Sequence, residues 1–98
     1  MTAVPNFLTG RKSSIGTTAL QLTTNTTKAD RGVQITAAAG NSATIYVGLS
    51  NVTGDAADAT DGFPLAAGES ILVPVRDATL IYVLASTGSN SKVFFMLV

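Results

Sequence analysis

The sequence predicts an all-β fold: a small antiparallel β-sandwich of about six to eight strands, with a jelly roll among the arrangements it allows. Apolar and polar residues alternate in short segments such as Val33-Gln34-Ile35-Thr36-Ala37, which is the period of a half-buried strand. Segments rich in Gly, Asn, Ser and Thr separate these runs at regular spacing, as is typical of β-sandwiches. No segment carries a convincing helical stripe of apolar residues.

The predicted strands follow one another with short connections. The first lies within residues 15–22, and the others cover residues 33–37, 44–49, 71–75, 80–85 and 92–98. A long loop is expected over residues 50–62. A tight turn is expected at residues 66–69, where Gly68 can adopt a positive φ and Glu69 can bind turn backbone groups. Pro74 cannot donate a ladder hydrogen bond, so its strand is expected at a sheet edge or bulged there.

The length of the chain fits one domain. Residues 13–98 are assigned to the sandwich and residues 1–12 to an N-terminal arm. The arm lacks β alternation and contains the only adjacent basic pair, Arg11-Lys12. Apolar anchors are available in it at Val4, Phe7 and Leu8. We therefore predict that the arm contacts another protein and is not part of the core.

Two predicted strands, near Ile81 and Phe95, are apolar on both faces. One face of an antiparallel sandwich normally meets solvent. A strand with two apolar faces is therefore either central and buried, or covered by a subunit interface. Phe94 and Phe95 point to opposite sides of their strand, so we expect one in the core and the other against a neighbour.

The composition favours a component of an assembly. Charged residues make up 12% of the chain, against about 25% in an average soluble domain. Disorder is not the reason, because hydrophobic residues make up 46%. The formal net charge is zero, and a freely diffusing protein of that kind tends to self-associate. A protein fixed on a large particle escapes that requirement.

The sequence offers little for catalysis, and we predict that the chain is not an enzyme. It contains no His for general acid–base chemistry and no Cys as nucleophile or thiolate ligand. A Ser-x-x-Lys pattern at Ser89 and Lys92 falls in a predicted turn, and the companion motifs of serine acyl enzymes are absent. We therefore predict no catalytic, cofactor-binding or metal-binding residue, and no cofactor.

Other partners find weak support in the sequence. Asp55, Asp58 and Asp61 could surround Ca²⁺ in an irregular loop, but their spacing departs from calcium-loop motifs, and a solvated acidic loop is favoured. Basic residues are too sparse for a nucleic-acid footprint. The longest apolar run, residues 93–98, is far shorter than the ~20 residues of a membrane span. Residues 1–12 lack an apolar core of signal-peptide length, so no signal peptide is expected.

One long segment has a recognisable character: Gly62-Phe63-Pro64-Leu65-Ala66-Ala67-Gly68-Glu69-Ser70, then Val73-Pro74-Val75 and Ile81-Tyr82-Val83-Leu84-Ala85-Ser86. It resembles small structural proteins of tailed bacteriophage particles. Residues 32–37 and 45–48 extend the resemblance, which covers about residues 30–98. The resemblance implies a capsid decoration, or cement, protein. Such a protein is made in the host cytoplasm and resides on the virion.

The resulting hypothesis is a homo-oligomeric cement protein, expected to be a trimer, that binds the major capsid protein by surface contact. Contacts with the capsid or another subunit are expected at Phe7, Arg11, Lys12, Phe63, Leu65, Phe94, Met96 and Val98. The alternative is a β-module of a phage tail or fibre, with receptor binding as its role. The position of the chain on the intact particle separates the two hypotheses.

Overall fold

The computed structural model describes residues 8–98, and this part of the chain is nearly all β. It forms eight strands and one short 3₁₀ helix. The strands are β1 (Thr9–Ile15), β2 (Leu20–Gln21), β3 (Val33–Ala37), β4 (Ile45–Gly48), β5 (Phe63–Leu65), β6 (Ser70–Val73), β7 (Tyr82–Ala85) and β8 (Ser91–Leu97). The 3₁₀ helix, Ala78–Leu80, lies between β6 and β7.

The strands form two four-stranded antiparallel sheets packed as a sandwich. Sheet A has the order β1-β8-β3-β6, and sheet B has the order β2-β7-β4-β5. The pairs β1–β8, β2–β7, β3–β6 and β4–β5 are those of one long hairpin rolled into two layers, which is jelly-roll connectivity. The predicted antiparallel sandwich is therefore confirmed.

Alternation along the strands decides which side chains enter the core. In β3, Val33, Ile35 and Ala37 are fully buried, whereas Gln34 and Thr36 are half-buried on the outer side. In β8 the core positions are Ser91, Val93, Phe95 and Leu97. One cluster of buried side chains from both sheets fills the space between them, with Ile15, Leu22, Ile45, Leu65, Ile81 and Val83 among its members.

β1 is a polar edge strand that the sequence analysis did not predict. Residues 9–12 pair in register with residues 96–93 of β8. A bulge follows, with Ser14 at φ 56°, and it turns Ile15 into the core. The predicted end of the arm at residue 12 is therefore wrong, because residues 9–12 belong to sheet A. Residues 1–7 of the predicted arm lie outside the described residues.

β6 forms the opposite edge of sheet A and ends at Val73, immediately before Pro74. The edge position predicted from Pro74 is confirmed. The turn before β6 also has the predicted form: Gly68 adopts φ 82°, and Glu69 Oε1 accepts a hydrogen bond from the Ala66 N–H at 2.7 Å. Residues 15–22, predicted as one strand, instead form the end of β1 and the two-residue β2.

Two connections cross between the sheets at one end of the sandwich, through residues 22–32 and 74–81. The Ala29 N–H donates to the Arg76 carbonyl at 2.7 Å, and Lys28 Nζ donates to Asp77 Oδ2 at 2.7 Å. β1 begins and β6 ends at this same end, because Val33 pairs with both Val73 and Leu97. The described chain therefore starts at the end of the sandwich where the β2–β3 and β6–β7 connections cross between the two sheets.

Candidate functional site

Five large hydrophobic side chains are exposed among residues 8–98, and they fall on two surfaces. Leu49, Phe63, Leu72 and Leu80 line one groove. The fifth, Phe94, lies on the outer side of sheet A. Single exposed apolar side chains are normal, but clustered ones mark interaction sites. These two surfaces are the candidate sites of the described residues.

The first surface, the seam groove, opens between the edge strands β5 of sheet B and β6 of sheet A. It encloses about 280 Å³. Its floor consists of partly or fully buried residues that also contact the core: Ile71, Val73, Val75 and Ile81. Its rim consists of Leu49 at 62% exposure, Phe63 at 58%, Leu72 at 52% and Leu80 at 53%.

The rim residues are placed by the ends of regular elements. Leu49 follows β4, and Phe63 begins β5 opposite Val47. Leu80 ends the 3₁₀ helix, and Asp77 caps the start of that helix. Asp77 Oδ1 accepts hydrogen bonds from the Thr79 N–H at 3.0 Å and from the Thr79 hydroxyl at 2.6 Å. Because neither sheet has a further strand at this seam, the rim side chains stay uncovered by the described chain.

The seam groove is lined without any ionisable side chain among the described residues. An ion pair lies beside the 3₁₀ helix, where Lys28 Nζ is 2.7 Å from Asp77 Oδ2. The hydrogen bond from Lys28, supported by those from Thr79, lowers the pKa of Asp77 to about 2. Because the lining of the groove itself contains no ionisable side chain, the groove is suited to an uncharged, apolar segment.

The second surface, the open face, is the outer side of sheet A around two apolar residues of β8, Phe94 and Met96. Polar residues of the neighbouring strands flank them in register: Thr9 and Arg11 of β1, and Gln34 and Thr36 of β3. Phe94 is 46% exposed, and the shallow depression here measures about 600 Å³. An apolar centre inside a polar rim is the anatomy of a protein–protein interface.

The outer side of sheet B is different, because the chain itself covers it. Residues 52–61, the cover loop, pack across β4 and β7, and Val52 and Leu84 are each 5% exposed. Gly54 makes this close approach possible: a Cβ there would lie 2.9 Å from Leu84 Cδ1 and 2.9 Å from Tyr46 Cδ2. The second apolar face of β7 is therefore buried within the chain.

Asp61 fixes the cover loop. Its Oδ1 accepts hydrogen bonds from the Thr53 hydroxyl at 2.6 Å, the Ala56 N–H at 2.9 Å and the Ala57 N–H at 3.0 Å. The bond from Ala57, followed by those from Thr53 and Ala56, lowers the pKa of Asp61. The Oδ1 atom of Asp61 is therefore already used by hydrogen bonds within the loop. Between residues 8 and 98, no group of three or more His, Cys, Asp or Glu is placed to hold a metal ion.

The predicted contact residues occupy several places in the fold. Arg11, Phe94 and Met96 come together on the open face, and Phe63 stands on the rim of the seam groove. Leu65 was expected at a contact but is only 2% exposed, because it pairs with Ile45 and points into the core. Its predicted contact role is therefore wrong.

The remaining predicted residues lie apart from both surfaces. Lys12 pairs with Val93, and strand alternation places it on the opposite side of β1 from Arg11, where it is half-buried. Val98 follows β8 and is half-buried, and its carbonyl accepts the Arg31 N–H at 2.7 Å. Phe7 lies outside the described residues.

Sequence reasoning missed Leu49, Leu72 and Leu80. A signal existed for Leu72, because Ile71-Leu72-Val73 is an unbroken apolar run just before Pro74. Such a run on an edge strand places an apolar side chain on the outer face. No local pattern singles out Leu49 or Leu80, because their exposure depends on where two different sheets end.

Comparison of the chain with models of known protein families, with curated proteins and with solved structures finds no match. The Ser-x-x-Lys pattern lies where Ser89 precedes β8 and Lys92 is exposed on it, with no helix at that point. None of the helical structure in residues 8–98 has the length and hydropathy to cross a membrane. What the two surfaces offer is exposed apolar side chains: Leu49, Phe63, Leu72 and Leu80 on the seam groove, and Phe94 on the open face.

Proposed function

We propose that this protein is a structural component of a tailed-bacteriophage virion, which binds the major capsid protein and stabilises the capsid shell as a decoration or cement protein. The observation that carries the proposal is the open face, where Phe94 and Met96 are surrounded by polar residues in register. The assignment to a phage particle rests on the resemblance of residues 30–98 to phage structural proteins. Jelly rolls also occur in viral capsid domains, which is an analogy of fold alone.

The open face would act by differential binding. A protein that binds only the assembled shell stabilises it by mass action, by about 2.7 kcal/mol at a free concentration 100 times Kd. Phe94 would be the apolar anchor in a desolvated centre, and Arg11, Gln34 and Thr36 would supply hydrogen bonds at the rim. A closed homo-oligomer, with a trimer as the proposed state, would present several open faces to the shell and gain avidity.

The test uses shells that lack the protein, with purified chain added at matched ionic strength. Bound shells should melt at a higher temperature than bare shells. Electron cryomicroscopy should place the chain at repeated positions on the shell, with the outer side of sheet A against the capsid protein. Unchanged melting together with density only at the tail would contradict the proposal and favour the tail or fibre module.

Two variants of one residue make the test specific. Phe94→Asp should weaken shell binding by about 100-fold or more, because it places a charge in the apolar centre of the contact. Phe94→Tyr keeps the ring and should bind nearly as well as the parent chain. Both variants should stay folded in the absence of shells and lose no more than about 1 kcal/mol of stability, since Phe94 is half in solvent. Equal shell binding by all three chains would show that the open face is not the contact.

A further inference from the structure

The seam groove carries an inference independent of capsid binding. We propose that the seam groove binds residues 4–7, Val4-Pro5-Asn6-Phe7, of a second copy of this chain. The groove presents four exposed large apolar side chains and a buried apolar floor, with no ionisable side chain in its lining. Its occupant must therefore be apolar, uncharged and narrow enough to lie between two edge strands.

Residues 4–7 have this chemistry. None of their side chains is ionisable, and Val4 and Phe7 are large and apolar. Pro5 fixes its own φ and disfavours the helical region at Val4, so the segment prefers extended, polyproline II-like backbone. In that conformation three residues make one turn, so Val4 and Phe7 project from the same side, about 9 Å apart. Apolar, aromatic-containing grooves are a known way of binding such backbone, and Phe63 and Pro74 are in this lining.

The distances exclude the chain's own Phe7 from the groove. Leu8 is held at the β1 edge, where its carbonyl accepts the Leu97 N–H at 2.8 Å. The groove lies beyond β6, which is separated from β1 by β8 and β3, or about 14 Å at ~4.8 Å between strands. Phe7 is one residue from Leu8 and reaches at most ~3.6 Å further. Only a second copy can place Phe7, the larger anchor, in the groove together with Val4.

The same end of the sandwich serves both partners. β1 begins at the end of the sandwich where β6 ends, so Leu8 and the seam groove of each copy lie at the same end, on opposite edges of sheet A. The contact joins two different surfaces, the segment of one copy and the groove of the next. Such a head-to-tail contact builds a closed ring when repeating the rotation between successive copies returns to the first copy. The proposal thus names the two surfaces for the self-association expected from the composition: residues 4–7 of one copy and the seam groove of the next.

Engineered disulfides test the contact, since the parent chain has no Cys. Val4→Cys and Leu80→Cys chains, one of them isotope-labelled, are mixed and oxidised, and the mixed disulfide is measured by mass. The control replaces Leu80→Cys with Ser42→Cys, an exposed position in the β3–β4 connection at the opposite end of the sandwich. We expect about tenfold more mixed dimer with Leu80→Cys than with Ser42→Cys. Equal yields, or only an intramolecular disulfide in the doubly substituted chain, would overturn the proposal.

Sedimentation of the purified chain without shells gives an independent readout. Phe7→Ser should weaken self-association by about 100-fold, as loss of a buried aromatic anchor does. Asn6→Ser, a polar change in the same segment, should leave it unchanged. Self-association that is equal in the two variants, or a parent chain that stays monomeric at micromolar concentration, would refute the proposed contact between residues 4–7 and the seam groove. Shell binding is absent from both assays, so failure here leaves the proposed binding of the open face to the capsid standing.

Discussion

β7 and β8 hold equivalent places, each next to an edge strand in its own four-stranded sheet. The outer side of β7 is nevertheless buried, whereas that of β8 is exposed. On β7, Leu84 is 5% exposed beneath the cover loop. On β8, Phe94 is 46% exposed, and no described segment crosses it. The comparison shows that a strand with two apolar faces does not by itself indicate a partner.

The difference lies in the connections. The loop between β4 and β5 is long enough to return over sheet B, and Asp61 holds it there through three hydrogen bonds. The turn between β7 and β8 and the turn before β6 are short, and neither covers the outer side of sheet A. An apolar outer face is therefore a binding candidate only when no long loop of the same chain has the length and anchors to cover it.

The comparison predicts its largest effect for alanine substitutions of the two outward side chains. Leu84→Ala should lower the free energy of unfolding by about 2–4 kcal/mol, because it leaves a cavity under the cover loop. Phe94→Ala should cost about 1 kcal/mol or less, because its ring is half in solvent. Urea unfolding of both variants measures the difference. Equal losses would mean that the outer side of β8 is packed as tightly as that of β7.

A smaller effect is expected from filling the gap between the cover loop and sheet B. Gly54→Val should destabilise the chain by about 1–3 kcal/mol, because the new side chain overlaps Leu84 and the Tyr46 ring. Gly40→Val is the control, since a Cβ at Gly40 meets nothing within 4 Å. Thermal melting of the pair checks the prediction. A stable Gly54→Val chain would show that the loop yields easily and only rests on the sheet.

The sequence was sufficient for the sandwich and for half of the site. Period-two alternation locates β3 and β4, and the apolar run of residues 92–98 locates β8, with Phe94 and Phe95 on opposite sides of the strand as expected. β1 escaped prediction because its polar residues show no alternation, and backbone pairing with the distant β8 holds it in place. β5 escaped because it has three residues with Pro64 at its centre.

Non-local geometry explains the remaining misses. The seam groove combines residues from two sheets whose edges meet only in the folded chain, so no local window contains it. The spacing of Asp55, Asp58 and Asp61 suggested either an ion site or a solvated loop. Their different roles depend on backbone that the spacing does not encode: Asp55 sits at φ 56°, and Asp61 receives the hydrogen bonds of the loop.

Removing the Asp61 side chain, which holds the cover loop, should affect only the loop. Asp61→Ala removes the acceptor for Thr53, Ala56 and Ala57, so the loop should open more often while the sandwich stays folded. Amide hydrogen exchange should accelerate in residues 52–61 and remain unchanged in β8. Asp58→Ala, at an exposed position of the same loop, should behave like the parent. Acceleration that extends through β8 would show that the cover loop supports the whole core.

The smallest effect should appear on acidification. The pKa of Asp77 is lowered to about 2, chiefly by Lys28, and the pKa of Asp61 is also lowered, chiefly by the Ala57 N–H. Because both pKa values are below those of the unfolded chain, the carboxylates stabilise the fold fully only well above the unfolded pKa of about 3.8, and this contribution is lost as the pH falls through the pKa of each group in the folded chain, about 2 for Asp77. NMR should therefore show the contact between Gly54 and the Tyr46 ring weakening as the pH is lowered below 4, while Phe94 signals stay unchanged. Asp77→Asn should remove part of the acid-dependent loss of stability without altering the loop signals. If the Phe94 signals moved together with those of Gly54 in the parent chain, the outer sides of the two sheets would be coupled. The covered face of sheet B and the open face of sheet A would then respond to acid as one cooperative unit, and the contrast between them would fail.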